Sequence, residues 1–203
     1  LDEANLANGS APDADALVQS GSFTISAADG IAQLSVGGEA IVQDGAVVGT
    51  LPTLTTEAGN VLAITAFTDN GDGTYTVDYR YTLNSNKFHA QPEDDTALFQ
   101  DFAVSVTDND GDTAGGTLTV EILDDAPSAE DVGAELGAGV YDAITGNVMT
   151  DGTPDTQGAD SARVTQVVVG DAAPVAVPES GSVEVAGAYG VLTIAADGTY
   201  SYV

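Results

Sequence analysis

Thr74-Tyr75-Thr76-Val77-Asp78-Tyr79-Arg80-Tyr81-Thr82-Leu83 is the stretch whose reading decides the fold. Tyr75, Val77, Tyr79, Tyr81 and Leu83 fall on one face and the polar residues between them on the other. A period of two over ten residues is the signature of a half-buried β-strand. Phe102, Val104 and Val106 repeat it, as do Leu118, Val120 and Ile122, with shorter versions at 23–25, 34–36 and 61–67. Helical spacing is nearly absent; 93–97 could make one short helical turn inside the long connection 84–97.

Turn clusters separate these runs: Ala28-Asp29-Gly30, Asp69-Asn70-Gly71-Asp72-Gly73 and Asp108-Asn109-Asp110-Gly111-Asp112. Asn, Asp and Gly supply the positive φ angles that tight hairpins require. Many short strands joined in this way predict an all-β chain built as an antiparallel β-sandwich.

Hydrophobic residues make up 43% of the 203-residue chain, enough for packed cores despite its acidity. Against 32 Asp and Glu stand only Arg80, Lys87 and Arg163, for a formal net charge of -29. Such a field repels nucleic acid and anionic lipid, and it strains the compact state unless cations condense on it. A generic acidic, soluble or halophilic surface would have the same charge. Without cysteine there are neither disulfides nor thiolate metal sites, so cores and hard-cation sites are left to supply stability. No run of ~18 apolar residues would span a membrane, and the first ten residues lack the pattern of a signal peptide. If the protein is exported, its signal is expected outside this stretch, and secretion through a C-terminal signal would fit.

At Leu123-Asp124-Asp125-Ala126-Pro127-Ser128 an alternating strand ends in two acids and a proline, after which Gly, Ala and Asp dominate. The boundary predicted here divides the chain into 1–126 and 127–203. Ser20-Gly21-Ser22-Phe23-Thr24-Ile25 recurs as Ser180-Gly181-Ser182-Val183-Glu184-Val185. Likewise Val61-Leu62-Ala63-Ile64 with Asp72-Gly73-Thr74-Tyr75 recurs as Val191-Leu192-Thr193-Ile194 with Asp197-Gly198-Thr199-Tyr200. Two related modules in tandem are expected, the second incomplete because nothing matches the strands 98–106 and 114–123 of the first.

Calcium takes 6–8 oxygen ligands at ~2.3–2.6 Å, and acids at alternate positions of a loop can curl several carboxylates around one ion. Asp108, Asp110 and Asp112 have that spacing at the end of an apolar strand. An EF-hand would need Gly at Thr113 and Glu at Thr119, and a Gly-rich nonapeptide repeat would need Gly at Leu118. Any site here must be assembled from separate loops, and the same residues would also make a plain Asx-rich turn. Asp69 and Asp72 are weaker candidates, since a hairpin needs Asn-Gly and Asp-Gly anyway. In the linker, Asp124 and Asp125 could share an ion with flanking loops or stand solvated. Asp2, Glu3, Glu130 and Asp131 are possible further ligands; Asp94 and Asp95 read as a solvated acidic loop.

Catalysis is not expected. One histidine, His89, cannot form a His-based zinc site, no Gly-x-Ser-x-Gly elbow exists, and there is no Trp to platform a sugar. Lys87-Phe88-His89 combines cation and aromatic ring in the long connection, a potential ligand contact or a loop packing its Phe inward.

With these features in place, the segment from Leu1-Asp2-Glu3-Ala4-Asn5-Leu6 to Leu123-Asp124-Asp125-Ala126-Pro127 resembles the Ig-like tandem repeats of giant type I secreted, RTX-type bacterial adhesins. Val106-Thr107-Asp108-Asn109-Asp110-Gly111-Asp112-Thr113 is the most specific match. Gly146-Asn147-Val148 and Gly190-Val191-Leu192-Thr193-Ile194-Ala195-Ala196-Asp197-Gly198-Thr199-Tyr200-Ser201-Tyr202 resemble a partial VCBS or cadherin-like repeat.

The resemblance implies an extracellular, non-catalytic extender on a Gram-negative surface that binds Ca2+ in loops and at junctions and serves cell adhesion and biofilm formation. Its partners would be neighbouring repeats of the same polypeptide, with host or biofilm glycans or proteins held by other domains. The chain is expected to be monomeric. On this reading calcium closes the acidic loops and stiffens the string. The alternative is a glycan- or protein-binding module that grips its ligand through the connection 84–97.

Overall fold

A computed structural model describes residues 1–87, 97–135 and 142–203. The short helical turn expected at 93–97, apart from Ala97, and His89, Asp94 and Asp95 lie outside the described residues, as does most of the connection 84–97. The chain is all-β, with strands arranged in antiparallel sheets, and it divides into two compact units, Leu1–Asp125 and Ala126–Val203.

Among the described residues of the first unit a short 3-10 turn, Glu3–Asn5, precedes nine strands: β1 (Val18–Ser26), β2 (Ile31–Val36), β3 (Glu39–Gln43), β4 (Ala46–Val47), β5 (Thr53–Thr55), β6 (Val61–Asp69), β7 (Thr74–Thr82), β8 (Ala97–Asp108) and β9 (Thr113–Leu123). They make a four-stranded sheet in the order β1-β7-β6-β5 and a five-stranded sheet in the order β4-β3-β2-β8-β9. β7, the strand of clean alternation, lies between β1 and β6. Val77, Tyr81 and Leu83 are fully buried, whereas Arg80 on the other face is exposed.

The sheets share one core. Tyr81 of β7 meets Phe102 of β8 edge to face at 6.2 Å. Around this pair Leu34, Ile41, Leu62 and Ile122 lose essentially all contact with water, each worth roughly 1.5–3 kcal/mol of transfer free energy. Between Ile64 and Ala66 the ladder of β6 with β7 shifts, so Thr65 is an extra residue. That bulge restores the alternation: Phe67 is paired with core-facing Val77 and stacks on Tyr75 at 5.6 Å.

Three strands of this unit, β3, β4 and β5, are not anticipated from the sequence. β2 and β3 are joined by Gly37-Gly38, and β3 and β4 by Asp44-Gly45, with positive φ at every one of these positions. Both are two-residue hairpin loops whose twist matches that of the strands they connect. β5 is a three-residue edge strand on β6.

The second unit contains β10 (Ile144–Asn147), β11 (Gln166–Val167), β12 (Val175–Ala176), β13 (Ser182–Ala186), β14 (Val191–Ala195) and β15 (Thr199–Tyr202). Its main sheet runs β10-β15-β14-β13, and β11 and β12 form a separate ribbon. A small core of Val177, Ile194 and Ala196 is packed by Val148, Val164, Val183 and Tyr200.

The repeated sequences are only partly a structural repeat. The hairpin β6–β7 corresponds to β14–β15, but the Ser-Gly-Ser strands differ: β1 pairs with β7, whereas β13 pairs with β14. Asp-Gly-Thr thus encodes the same cap twice, in loops of different length, while the partner of the Ser-Gly-Ser strand is set by the rest of each unit.

Candidate metal centre

The loops of the first unit gather acids at one end of the sandwich. Ala27 N–H donates to the Gly73 carbonyl at 2.9 Å, tying the β1–β2 loop to the β6–β7 loop. The Asn109 side-chain amide donates to the Asp29 carbonyl at 2.7 Å, tying the β8–β9 loop to the same place.

Within the β8–β9 loop, Asp108 ends one strand and caps its own turn. Its Oδ1 accepts from Gly111 N–H at 3.0 Å and Asp112 N–H at 2.9 Å, while its own N–H donates to the Asp112 carbonyl at 3.0 Å. Gly111 has φ of 101°, which a side chain would resist. This compact turn brings carboxylate oxygens of Asp108, Asp110 and Asp112 within 4.8 Å of one another. Two oxygens on opposite sides of one calcium ion would be about 4.8 Å apart, so the trio has the span of a common coordination shell. The acidic cluster can hold a metal ion.

Its electrostatics point the same way. The contact with Asp110, helped by the N–H groups of Asp112 and Gly111, holds the Asp108 carboxyl below its ordinary 3.8. The same contact, with the charges of Asp108 and Asp29, pushes the Asp110 carboxyl up. The two carboxyls thus shift in opposite directions, as neighbouring like charges in one site do. Asp29 was read in the sequence only as a turn residue, because its approach to Asp110 depends on which loops the sandwich brings together.

Asp69 and Asp72 are used differently. Asp69 Oδ1 accepts from Gly71 N–H at 2.8 Å, and Asp72 Oδ1 accepts from both the N–H and the hydroxyl of Thr74, at 3.0 and 2.6 Å. The Thr74 hydroxyl, then its N–H, lowers the Asp72 carboxyl. Asp197 repeats this cap on Thr199 in the second unit, with the same lowering. Among the described residues neither Asp69 nor Asp72 joins a group of three acidic ligands.

The remaining candidates lie at the other end of β9. Glu3 is fully buried, and its Oε1 accepts from Lys87 N–H at 2.7 Å. Carboxylate oxygens of Glu3 and Asp124 approach within 4.8 Å. Asp125, 8% exposed, takes the N–H and hydroxyl of Ser10 on its two oxygens, at 2.8 and 2.5 Å. Asp2 caps the 3-10 turn by accepting from Ala4 N–H. Buried Asn60 adds a polar clamp here, its side-chain carbonyl accepting from the N–H groups of Asn84 and Ser85 at 2.8 and 3.0 Å. Burial pushes the neighbouring Tyr81 hydroxyl up to about 12, against a smaller opposing effect of Asn60. Ser10 and Asn60 carry no local signal, since each acts on a partner distant in the chain. In the second unit, Asp155 accepts from Glu130 N–H at 2.7 Å.

No helix among the described residues is long and apolar enough to cross a membrane. Comparisons with protein-family models, with curated proteins and with solved structures find no match.

Proposed function

We propose that this chain is a calcium-stabilised, non-catalytic spacer region of a secreted bacterial surface adhesin, serving cell adhesion and biofilm formation. The observation that carries the reading is the carboxylate trio of Asp108, Asp110 and Asp112, held within 4.8 Å by a turn that Asp108 itself caps. Support also comes from the net charge of -29, which bound divalent cations would relieve, and from the adhesin-like pattern of strand, Asp-rich loop, strand and Asp-Asp-Ala-Pro. Calcium suits the site better than magnesium, because a loop of flexible carboxylates and carbonyls tolerates irregular shells that magnesium does not.

In this mechanism the metal-free loop stores repulsion between Asp108 and Asp110, and calcium converts it into cross-linking of the β8–β9 turn. A site filled at 100 times its dissociation constant raises the ratio of folded to unfolded chain about 100-fold. Calorimetric melting across a calcium titration tests this. The midpoint should rise with calcium, rise much less with magnesium, and stay fixed in the D108N/D110N/D112N variant. A melting curve indifferent to calcium would remove the proposal.

A further inference from the structure

The two sheets of the first unit part along one side, between the edge strands β1 and β9. A cavity of about 300 Å³ opens there, walled by Phe23 and Ile25 of β1 and by Val104, Val106 and Leu118 of β8 and β9. Gly116 lies on the same inward-facing series as Leu118, and a Cβ added to it would meet no atom within 4 Å. Glycine inside a strand marks a place where another backbone can approach closely. Apolar wall and missing side chain together leave room for side chains from outside.

The edge of β9 has its hydrogen-bonding groups aimed at that opening. Thr117 is opposite Ala103, whose carbonyl is already taken by Gly37 N–H on the far side of β8 at 2.8 Å. Thr117 is therefore in a non-hydrogen-bonded pair, and its own N–H and C=O point outward. By the alternation of the strand the same holds for Gly115 and Thr119. Farther along, this edge already accepts a parallel strand end: Leu1 N donates to the Glu121 carbonyl at 3.0 Å, and Leu123 N–H donates to the Leu1 carbonyl at 2.8 Å. Asp2 bridges Leu123 in the parallel sense. From Gly115 to Thr119 no strand among the described residues covers it.

Charge identifies the occupant. On the solvent face of this sheet Asp101 of β8, which accepts the Thr119 hydroxyl at 2.7 Å, and Glu121, two residues beyond the segment on β9, are exposed, in a chain of net charge -29. An added strand turns alternate side chains to that face, where Lys or Arg would meet acids, and the others into the apolar cavity. A second copy of the chain brings another -29 and is opposed by repulsion.

We propose that the open edge of β9 between Gly115 and Thr119 docks an extended segment of a partner protein, parallel to β9, with aliphatic residues alternating with Lys or Arg. This docking is independent of the metal.

The probe is the capped heptapeptide Lys-Val-Lys-Val-Lys-Val-Lys, tested on the full chain by calorimetry at physiological salt and by amide exchange. The control, Lys-Pro-Lys-Pro-Lys-Pro-Lys, has the same charge but cannot extend a ladder. Binding of the valine peptide should exceed that of the control by at least about tenfold, with exchange slowed about tenfold or more at Thr117 and Thr119. T117P removes an outward N–H and leaves the β8 ladder whole, so it should fold and lose that preference. Equal binding of both peptides, or protection that bypasses these amides, would overturn the proposal. So would a self-associated chain whose β9 edge is already protected without peptide.

Discussion

The two ends of the first unit use acids in opposite ways. At the β8–β9 loop, Asp110 and Asp112 are exposed and face Asp108 across a turn. At the far end of β9, roughly 35 Å away for an 11-residue strand, Glu3 and Asp125 are buried and held by N–H and hydroxyl donors from distant segments. Burial with donors makes a carboxylate a fastener of the chain, because water can no longer solvate it and the donors must. Exposure beside like charge makes it a ligand in waiting. Carboxylate oxygens of Glu3 and Asp124 also lie within 4.8 Å, so the contrast between the two ends rests on burial and on donors from distant segments, not on the spacing of the acids.

Glu3→Ala should produce the largest effect. It strands the Lys87 N–H and empties a buried site, at a cost of about 2–3 kcal/mol in urea unfolding, with or without calcium. If the variant instead unfolds normally without calcium and loses only the calcium response, Glu3 is a ligand and the contrast between the ends collapses. Asp125→Ala removes both acceptors of Ser10 and should cost about 1–2 kcal/mol, again without regard to calcium.

The loop end should respond to pH. Asp110 is raised in the folded chain, so folding favours its protonated form; the repulsion costs stability at neutral pH and is relieved as pH falls through the raised value. D110N should consequently melt higher than the parent at neutral pH without metal, an advantage that disappears on acidification. Calcium must displace that proton, so its affinity should fall as pH approaches the raised Asp110 value. Affinity that is flat with pH would show that Asp110 is not a ligand.

Asp72 gives the smallest effect. Its carboxyl is lowered by Thr74, so its contribution is present above 3.8 and is lost as pH falls through the folded value. D72N should lower the neutral melting temperature by about one to three degrees and flatten the acid side of the stability profile, leaving calcium binding unchanged.

What the sequence disclosed follows the range of the interactions concerned. The alternation from Tyr75 to Leu83 encodes β7 because one face of a strand must be buried, and that requirement is written residue by residue. The Asp108, Asp110 and Asp112 spacing was visible for the same reason, since a single turn brings them together. β3 and β4 escaped notice because they are short, although Gly37-Gly38 and Asp44-Gly45 were available as hairpin signals. Asp29 beside Asp110, and Lys87 over Glu3, depend on contacts 80 or more residues apart, for which local pattern carries no information. The tandem repeat shows both cases together: the cap of Asp72 on Thr74 is reproduced by Asp197 on Thr199, while the Ser-Gly-Ser strand finds a different neighbour in each unit.

A high-resolution crystal structure of the chain grown in excess calcium, with anomalous scattering recorded to identify the ion, bears most directly on the central claim. Density for calcium at ~2.3–2.6 Å from oxygens of Asp108, Asp110 and Asp112 is the predicted result. Ordered water alone between those side chains would contradict it.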